Sequence, residues 1–469
     1  MDPIVDFIRS IRKTRFEDLP AEAVAVQKRA VVDTVGAAIA GSSAPLGRIV
    51  ADMARDGGGR NQATVLVHGW KVPAEIAAST NAVMARCLEL DDVHEGTKRL
   101  GGGHGGHVNT MVVPAALAVA ERSSQPISGR QFIVAMALAG DMIVRLRAAA
   151  GSVGKSGWSA ATVSPFGIVA LAAKLMDLDD EIVANAMGAA YAHCAGNLLS
   201  VSDGTWDVWL KAGLGPRSGL VAVELAMRGY QGSKSPLLGK AGLFPLYFRG
   251  EYLPETLLSE LGTVFESANV SIKPYSSCKC THHAIHTAEE LVHRHAIDPQ
   301  DIERIHVRTC SYNMWLTLVD DKGNYKFTPK NLNEATFSMP FTIATALLKG
   351  SVFPDMLAQN LDDPPVLRLA RRVTAEVTPE KDAIMRNEGF PPDDVEITTT
   401  DGRVFTGCEP YVKGHPTNPM SFGEVVQKFE RCISLTAKPL RRGSVDEFLA
   451  AAESLETLDD VRGIASRLC

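Results

Sequence analysis

Long Ala-, Val- and Gly-rich segments, many of them apolar on every face, follow one another through roughly the first 265 residues. A segment of that kind has no solvent-facing side, so it reads as a central helix that must be surrounded by others. Aromatic residues are only 6% of the chain, which favours closely packed helices with small residues at their contacts. The stops and starts are visible. Leu19-Pro20 opens a segment that closes at Gly41, with proline in a starting turn and glycine at the end. Ser128 is the expected N-cap of a helix running to about Ala150, and Ser164-Pro165 repeats the start signal before FGIVALAAKLM.

The texture changes after about Ser271. DIERIHVRT alternates apolar and polar residues as a half-buried strand does, and DDVEITTTDGRVFTGCE holds two β-rich runs around Asp401-Gly402. That dipeptide predicts a hairpin with a type I′ turn. Helices are expected at 281–295 and 334–350, and the chain is helical again from about residue 420. Ser444-Val445-Asp446-Glu447 has the spacing of a capping box. At 469 residues the chain is long enough for two cores. The expected class is mostly α: a large all-helical domain formed by both chain ends (1–268 and 413–469) plus a smaller α+β lid domain (269–412).

A net charge of −6 carries no basic excess, which argues against a nucleic-acid or anionic-membrane surface. MDPIVDFIRSIRK has charges throughout and no apolar stretch of the signal-peptide kind. Met111–Ala120 and Phe132–Gly140 are about half the length of a membrane span and read as buried helices. The 8 cysteines are scattered, so free thiols in a reducing cytoplasm are expected.

Two polar clusters stand out against this background. ELDDVHEGTKRLGGGHGGHVNT (89–110) places Asp91, Asp92, His94, His104 and His107 between apolar helices. Carboxylates and imidazoles beside apolar surface are what proton transfer needs, because partial burial moves their pKa values. The plainer alternative is a helix terminus with solvated charges and one aspartate capping the next turn. His104 and His107 stand three apart near His94 and Asp91, which also permits a metal. The glycine run between them is not helical, however, and neither HExxH nor a paired CxxC accompanies it.

The second cluster, SIKPYSSCKCTHHAIHTAEEL (271–291), sets Lys273 before a proline turn, then Cys278 and Cys280, then a helix start at Thr281-His282. A helix N-terminus and a nearby lysine suit a carboxylate; an interdomain hinge with a solvated lysine is the alternative. Lys211 and Arg217 in WLKAGLGPRSG and Tyr312 after a strand are weaker candidates. His193 and Cys194 read as core residues of an apolar helix.

Four of these segments together resemble the MmgE/PrpD family. VPAEIAASTNAVMARCLELDDVHEG with HVNTMVVPAALAVAE is similar to its N-terminal signature, and IKPYSSCKCTHHAIHTAEEL to the signature opening its smaller domain. EATFSMPFTIATALLKG and VKGHPTNPMSFGEVVQKF resemble the third and fourth, in family order. The resemblance implies a homodimer with a site between two domains, needing neither metal nor organic cofactor. It implies chemistry at a carbon next to a carboxylate, as in the dehydratases, decarboxylases and epimerases of that family. Residue by residue it points to Asp91, Asp92, His94, His107 and Lys273 as catalytic, with Lys273 clamping a carboxylate. Ser159, Lys211, Cys278, His282, Tyr312 and His104 would line the substrate. Three positions in two segments depart from the pattern: Ser159 stands where a histidine is expected, and WDVWLKAG puts Val208 at a lysine and Lys211 at a histidine. A lyase acting on a small di- or tricarboxylate-like substrate is the leading expectation, with an epimerase second, a non-catalytic ligand-binding protein third and a zinc hydrolase last.

Overall fold

The computed structural model describes residues 2–102, 106–151 and 157–469. Among the described residues nine longer helices precede residue 230: α1 (Ile4–Lys13), α2 (Ala21–Gly41), α3 (Pro45–Gly57), α4 (Ala74–Arg86), α5 (Asn109–Arg122), α6 (Gly129–Ala149), α7 (Ser164–Met176), α8 (Asp180–Ala192) and α9 (Leu214–Met227). The apolar-all-round segments take the middle of this set. In α6 and α7 nearly every side chain is buried, and the two helices lie against each other. Ser128 caps α6 by accepting the Gln131 N–H at 3.2 Å, and Pro165 occupies the first turn of α7.

Small residues set the spacing. A Cβ added at Gly41 would stand 1.8 Å from the Met84 carbonyl oxygen, so α2 and α4 can approach only because that position lacks a side chain. Gly41→Val is therefore expected to cost about 1–3 kcal/mol or more, read as a lower urea midpoint with an unchanged slope. Wild-type stability in that variant would show that the helices can separate there without loss.

The same core takes in the far end of the chain. α12 (Phe422–Ile433) packs on α2 with Phe429 against Gly36, and α13 (Arg442–Glu453) adds Phe448, stacked on Phe429 at 5.5 Å. A second cluster of buried side chains runs from Ala284 to Ile397. It lies among α10 (His282–His295), α11 (Met339–Lys349) and a four-stranded sheet. Within that sheet β5 (Ile302–Thr309) runs parallel to β6 (Val373–Val377) and antiparallel to β7 (Asp394–Thr399), which pairs with β8 (Val404–Cys408). The strands of two residues, β1 (Ala63–Thr64) with β2 (Lys71–Val72) and β3 (Val93–His94) with β4 (Val270–Ser271), complete the strand content of the described residues. The protein is mostly α.

Four local expectations need correction. The helix expected over 334–350 is two, Leu332–Thr336 and α11, because the Ser338 hydroxyl caps the second and Pro340 sits in its first turn. The hairpin turn is not type I′: Gly402 has positive φ (84°) but Asp401 does not. Ser444 lies inside α13, which begins at Arg442 without a side-chain cap; the capping box is Ser421 with Glu424, at the start of α12. His193 is the exposed residue that ends α8, not a core histidine, while Cys194 is buried.

Candidate active site

Helix α4 ends at Arg86, and the chain then turns through Glu89, whose φ of +53° is a left-handed conformation that non-glycine residues rarely adopt. The turn folds the acidic residues back under the helix. Val93 and His94 then pair with Ser271 and Val270, which brings the segment near residue 91 beside Lys273. Glu89, Asp91 and Lys273 are fully or almost fully buried as a result.

They form one charge network. Arg86 pairs with Glu89 and, at 3.2 Å, with Asp91. The Lys273 ammonium lies 2.8 Å from Glu89 Oε2 and 3.6 Å from Asp91 Oδ1. The Trp209 indole N–H donates to Glu89 at 3.0 Å, and the Thr110 hydroxyl to Asp91 at 2.9 Å. Two cations and two anions share the same interior, so each ionised form is compensated. Burial alone would raise the Glu89 carboxyl, but Arg86 and then Lys273 outweigh it and hold it at about 2. Against the same burial, Arg86, His107 and Lys273 keep Asp91 well below the usual carboxylate range.

His107 stands at the edge of this network and is partly exposed. Its Nδ1 is 2.7 Å from Asp91 Oδ2 and 2.8 Å from the Asp92 carbonyl, so Nδ1 carries the proton. Nε2 then accepts from the Arg86 guanidinium at 3.0 Å. Burial, followed by Arg86, lowers the imidazole pKa, while Asp91 opposes them. The ring is oriented by a carboxylate and, with Arg86, lines a cleft of about 120 Å³.

That cleft is lined by Arg86, Glu89, His107, Ser159, Lys211, Cys278 and Tyr312 among others. Of the residues expected from sequence it therefore brings together His107, Ser159, Lys211, Cys278 and Tyr312. Ser159 uses its hydroxyl to cap the turn Ala160–Thr162. The Lys211 ammonium donates to the Asn197 carbonyl at 2.7 Å, and burial with Arg86 nearby lowers it to about 8. Hydrogen bonds from the Cys280 thiol, with a smaller share from its N–H, lower the Cys278 thiol pKa. Burial raises the Tyr312 hydroxyl.

Other expected residues face elsewhere. Asp92 accepts from the N–H groups of Asn109 and Thr110 at 3.1 and 3.3 Å and so caps α5, the plainer alternative for this segment. Burial and Asp91 push its carboxyl up to about 7. His94 is wholly buried in β3, with Nε2 on Glu266 at 3.2 Å and Nδ1 accepting the Gly96 N–H; it is no second base at the cleft. Lys273 is not among the residues that line the cleft; its ammonium is held in the network by Glu89 and Asp91. His282 is buried, its Nε2 3.2 Å from the Ser277 carbonyl. His104 lies outside the described residues.

Several cleft residues went unnoticed in the sequence. Arg86 and Glu89 carry a readable signal, opposite charges three apart where an apolar helix ends. Arg147 is a charge inside the apolar run of α6; its guanidinium donates to the Trp158 carbonyl at 2.9 Å, and burial lowers it to about 10. Lys279, paired with Glu95 at 2.6 Å, and Phe390 line the cleft with no local signal at all. No three His, Cys, Asp or Glu side chains converge as metal ligands among the described residues, and no helix there is long and apolar enough to cross a membrane.

Fold and cleft define a mostly helical protein with two cores and an imidazole–carboxylate pair facing a cation-bearing cleft. Residues 5–255 match the MmgE/PrpD N-terminal domain and residues 275–448 the MmgE/PrpD C-terminal domain. The chain belongs to the MmgE/PrpD family. It is similar to the cis-aconitate decarboxylase of Mus musculus, 25% identical with 92% of this chain and 86% of that protein covered. The cis-aconitate decarboxylase of Homo sapiens is 24% identical over 97% and 92%, and that of Aspergillus terreus 25% identical over 78% and 76%.

Proposed function

We propose that this protein is a lyase that removes a proton from a carbon next to a carboxylate, with His107 as the base. The observation that carries the reading is the His107 ring itself: Nδ1 is bonded to Asp91, and Nε2 accepts from Arg86, which lines the cleft with it. A substrate carboxylate that draws the Arg86 N–H to itself frees the Nε2 lone pair for the α-proton. Charge then develops on the carboxylate-bearing carbon, and Arg147 and Lys211, which face the same cleft, are the cations that would stabilise it. The similarity to cis-aconitate decarboxylases supports a small organic acid as substrate and a lyase as the enzyme class. In a dehydration His107 would take the α-proton and pass it to the departing β-hydroxyl, which leaves as water; in a decarboxylation the ring would work in reverse, the carbanion left by carbon dioxide taking its proton from a protonated His107.

Epimerisation is the second reading, favoured by Cys278. Its thiol lines the same cleft as His107 and is acidified by Cys280, which supplies a second group able to return a proton. Incubation with hydroxylated and unsaturated di- and tricarboxylic acids in deuterated water separates these readings by NMR. Loss of water or carbon dioxide is the expected result, deuterium uptake with racemisation would favour the epimerase, and no exchange with any acid would leave a ligand-binding protein. A homodimer in the cytoplasm belongs to the same proposal. Exposed Leu199, Trp206, Leu210 and Leu214 offer apolar surface for a second copy, and Cys87, Cys194, Cys278, Cys280, Cys310, Cys408 and Cys432 are free thiols, as a reducing compartment would keep them.

A further inference from the structure

Pairing off the charges of the cleft leaves two cations over. Arg86 answers Glu89 and Asp91, and Lys279 answers Glu95. Lys211 and Arg147 donate instead to backbone carbonyls, those of Asn197 at 2.7 Å and Trp158 at 2.9 Å. Among the described residues neither forms an ion pair with a carboxylate, and the residues outside that set include no aspartate or glutamate.

Arg147 is the sharper case. It lies in the last turn of α6, is 6% exposed and lines the cleft. A guanidinium this deep is almost always matched by an anion, because its removal from water is otherwise uncompensated. The carbonyl end of the helix offsets a small part of that cost. The ionisable group that acts on it is Tyr312, whose hydroxyl burial keeps protonated. The missing anion therefore has to come from what enters the cleft.

The two surplus cations come from different elements. Lys211 lies in a turn packed on α4, where Arg86 acts on its charge, so it belongs with the contact between Arg86 and His107. Arg147 stands with Trp158 and Tyr312. Most other side chains of the lining are apolar, among them Val93, Met111, Leu198, Val208, Leu316 and Phe337.

We propose that Arg147 sets specificity by binding a second carboxylate of the substrate, which forks onto the guanidinium while the first lies by His107 and Lys211. Two surplus cations match two carboxylates and leave none for a third. The substrate is then a dicarboxylate with an apolar arm, not a tricarboxylate. This rests on the carboxylate reading of the cleft and narrows it.

Calorimetry with the full-length protein tests it on matched acids: butanoate, pentanoate and hexanoate against butanedioate, pentanedioate and hexanedioate. α-Proton exchange is followed by NMR in the same samples. At the chain length that reaches Arg147, the diacid is expected to bind about ten- to a hundredfold more tightly than its monoacid, the worth of a charge-assisted hydrogen bond. Arg147→Met should bring that ratio to about one, and Arg147→Lys, which keeps the charge without the fork, should lower it severalfold. On the best diacid, a propyl branch should tighten binding and a carboxymethyl branch weaken it, leaving the two about tenfold apart or more. Equal binding of diacid and monoacid at every length by the wild-type protein overturns the proposal. So does a ratio that survives Arg147→Met or, where that variant does not fold, Arg147→Lys. Tighter binding of the carymethyl-branched acid than of the propyl-branched one overturns the restriction to two carboxylates. Preference without exchange by any acid counts for Arg147 and against proton transfer by His107. Exchange without preference counts against Arg147 alone.

Discussion

His107→Gln is expected to lower kcat/KM for the proton-transfer reaction by about a hundredfold to ten-thousandfold, the usual worth of a positioned general base. Among the described residues of the cleft, the imidazole is the one group that combines a basic nitrogen, a carboxylate behind it and partial exposure. Glutamine keeps the approximate volume and a donor for Asp91 but has no nitrogen able to accept the proton. The fold should be unchanged, because the ring closes the edge of the network and carries none of its permanent charges. The pH profile adds a separate check. Burial and Arg86 lower the His107 pKa below its ordinary 6.5. A base works when neutral, so activity should be full above that lowered pKa and fall away only as pH drops through it, with the acid limb below 6.5. A variant within tenfold of wild type, or an acid limb above 6.5, would remove His107 from the role of base.

Lys273→Met should act on stability first. Lys273 is completely buried, and its ammonium is shared by Glu89 and Asp91. Removing it leaves two carboxylates for the single guanidinium of Arg86, an uncompensated interior charge. Breaking a buried pair in this way costs about 3–5 kcal/mol. Adding Glu89→Gln to the same chain removes the surplus charge and should restore part of the loss, so the two substitutions couple in a double-mutant cycle. A group clamping substrate in the cleft would behave differently: Lys273→Met would then weaken ligand binding and leave the urea midpoint where it was. That second pattern, with no coupling to Glu89, would sink the present account of Lys273 as a positioning residue.

Much of the framework is legible along the chain. The limits of α2, α6 and α7 follow from Pro20, Ser128 and Pro165 and from the run of apolar residues after each. The strand Ile302–Thr309 follows from its alternation. These are properties of a few neighbouring residues and of backbone geometry, so the sequence carries them whole. The two polar clusters are legible for the same reason, since charge inside apolar surroundings is conspicuous wherever the chain later goes.

What each polar residue faces is another matter. Asp91 and Asp92 are adjacent, yet one carboxylate orients His107 and the other caps α5, because consecutive side chains leave the backbone in different directions. His94 looks as good a base as His107 until its pairing beside β4 buries it against Glu266. Arg147 and Phe390 come to the cleft from elements far away in the chain. The sequence alone determined a helical protein with two reactive segments and a plausible chemistry. Only the tertiary structure decided which atoms of those segments meet solvent, because that depends on the pairing of Val93 with Ser271 and on helices packed across the whole chain, contacts that no local pattern encodes.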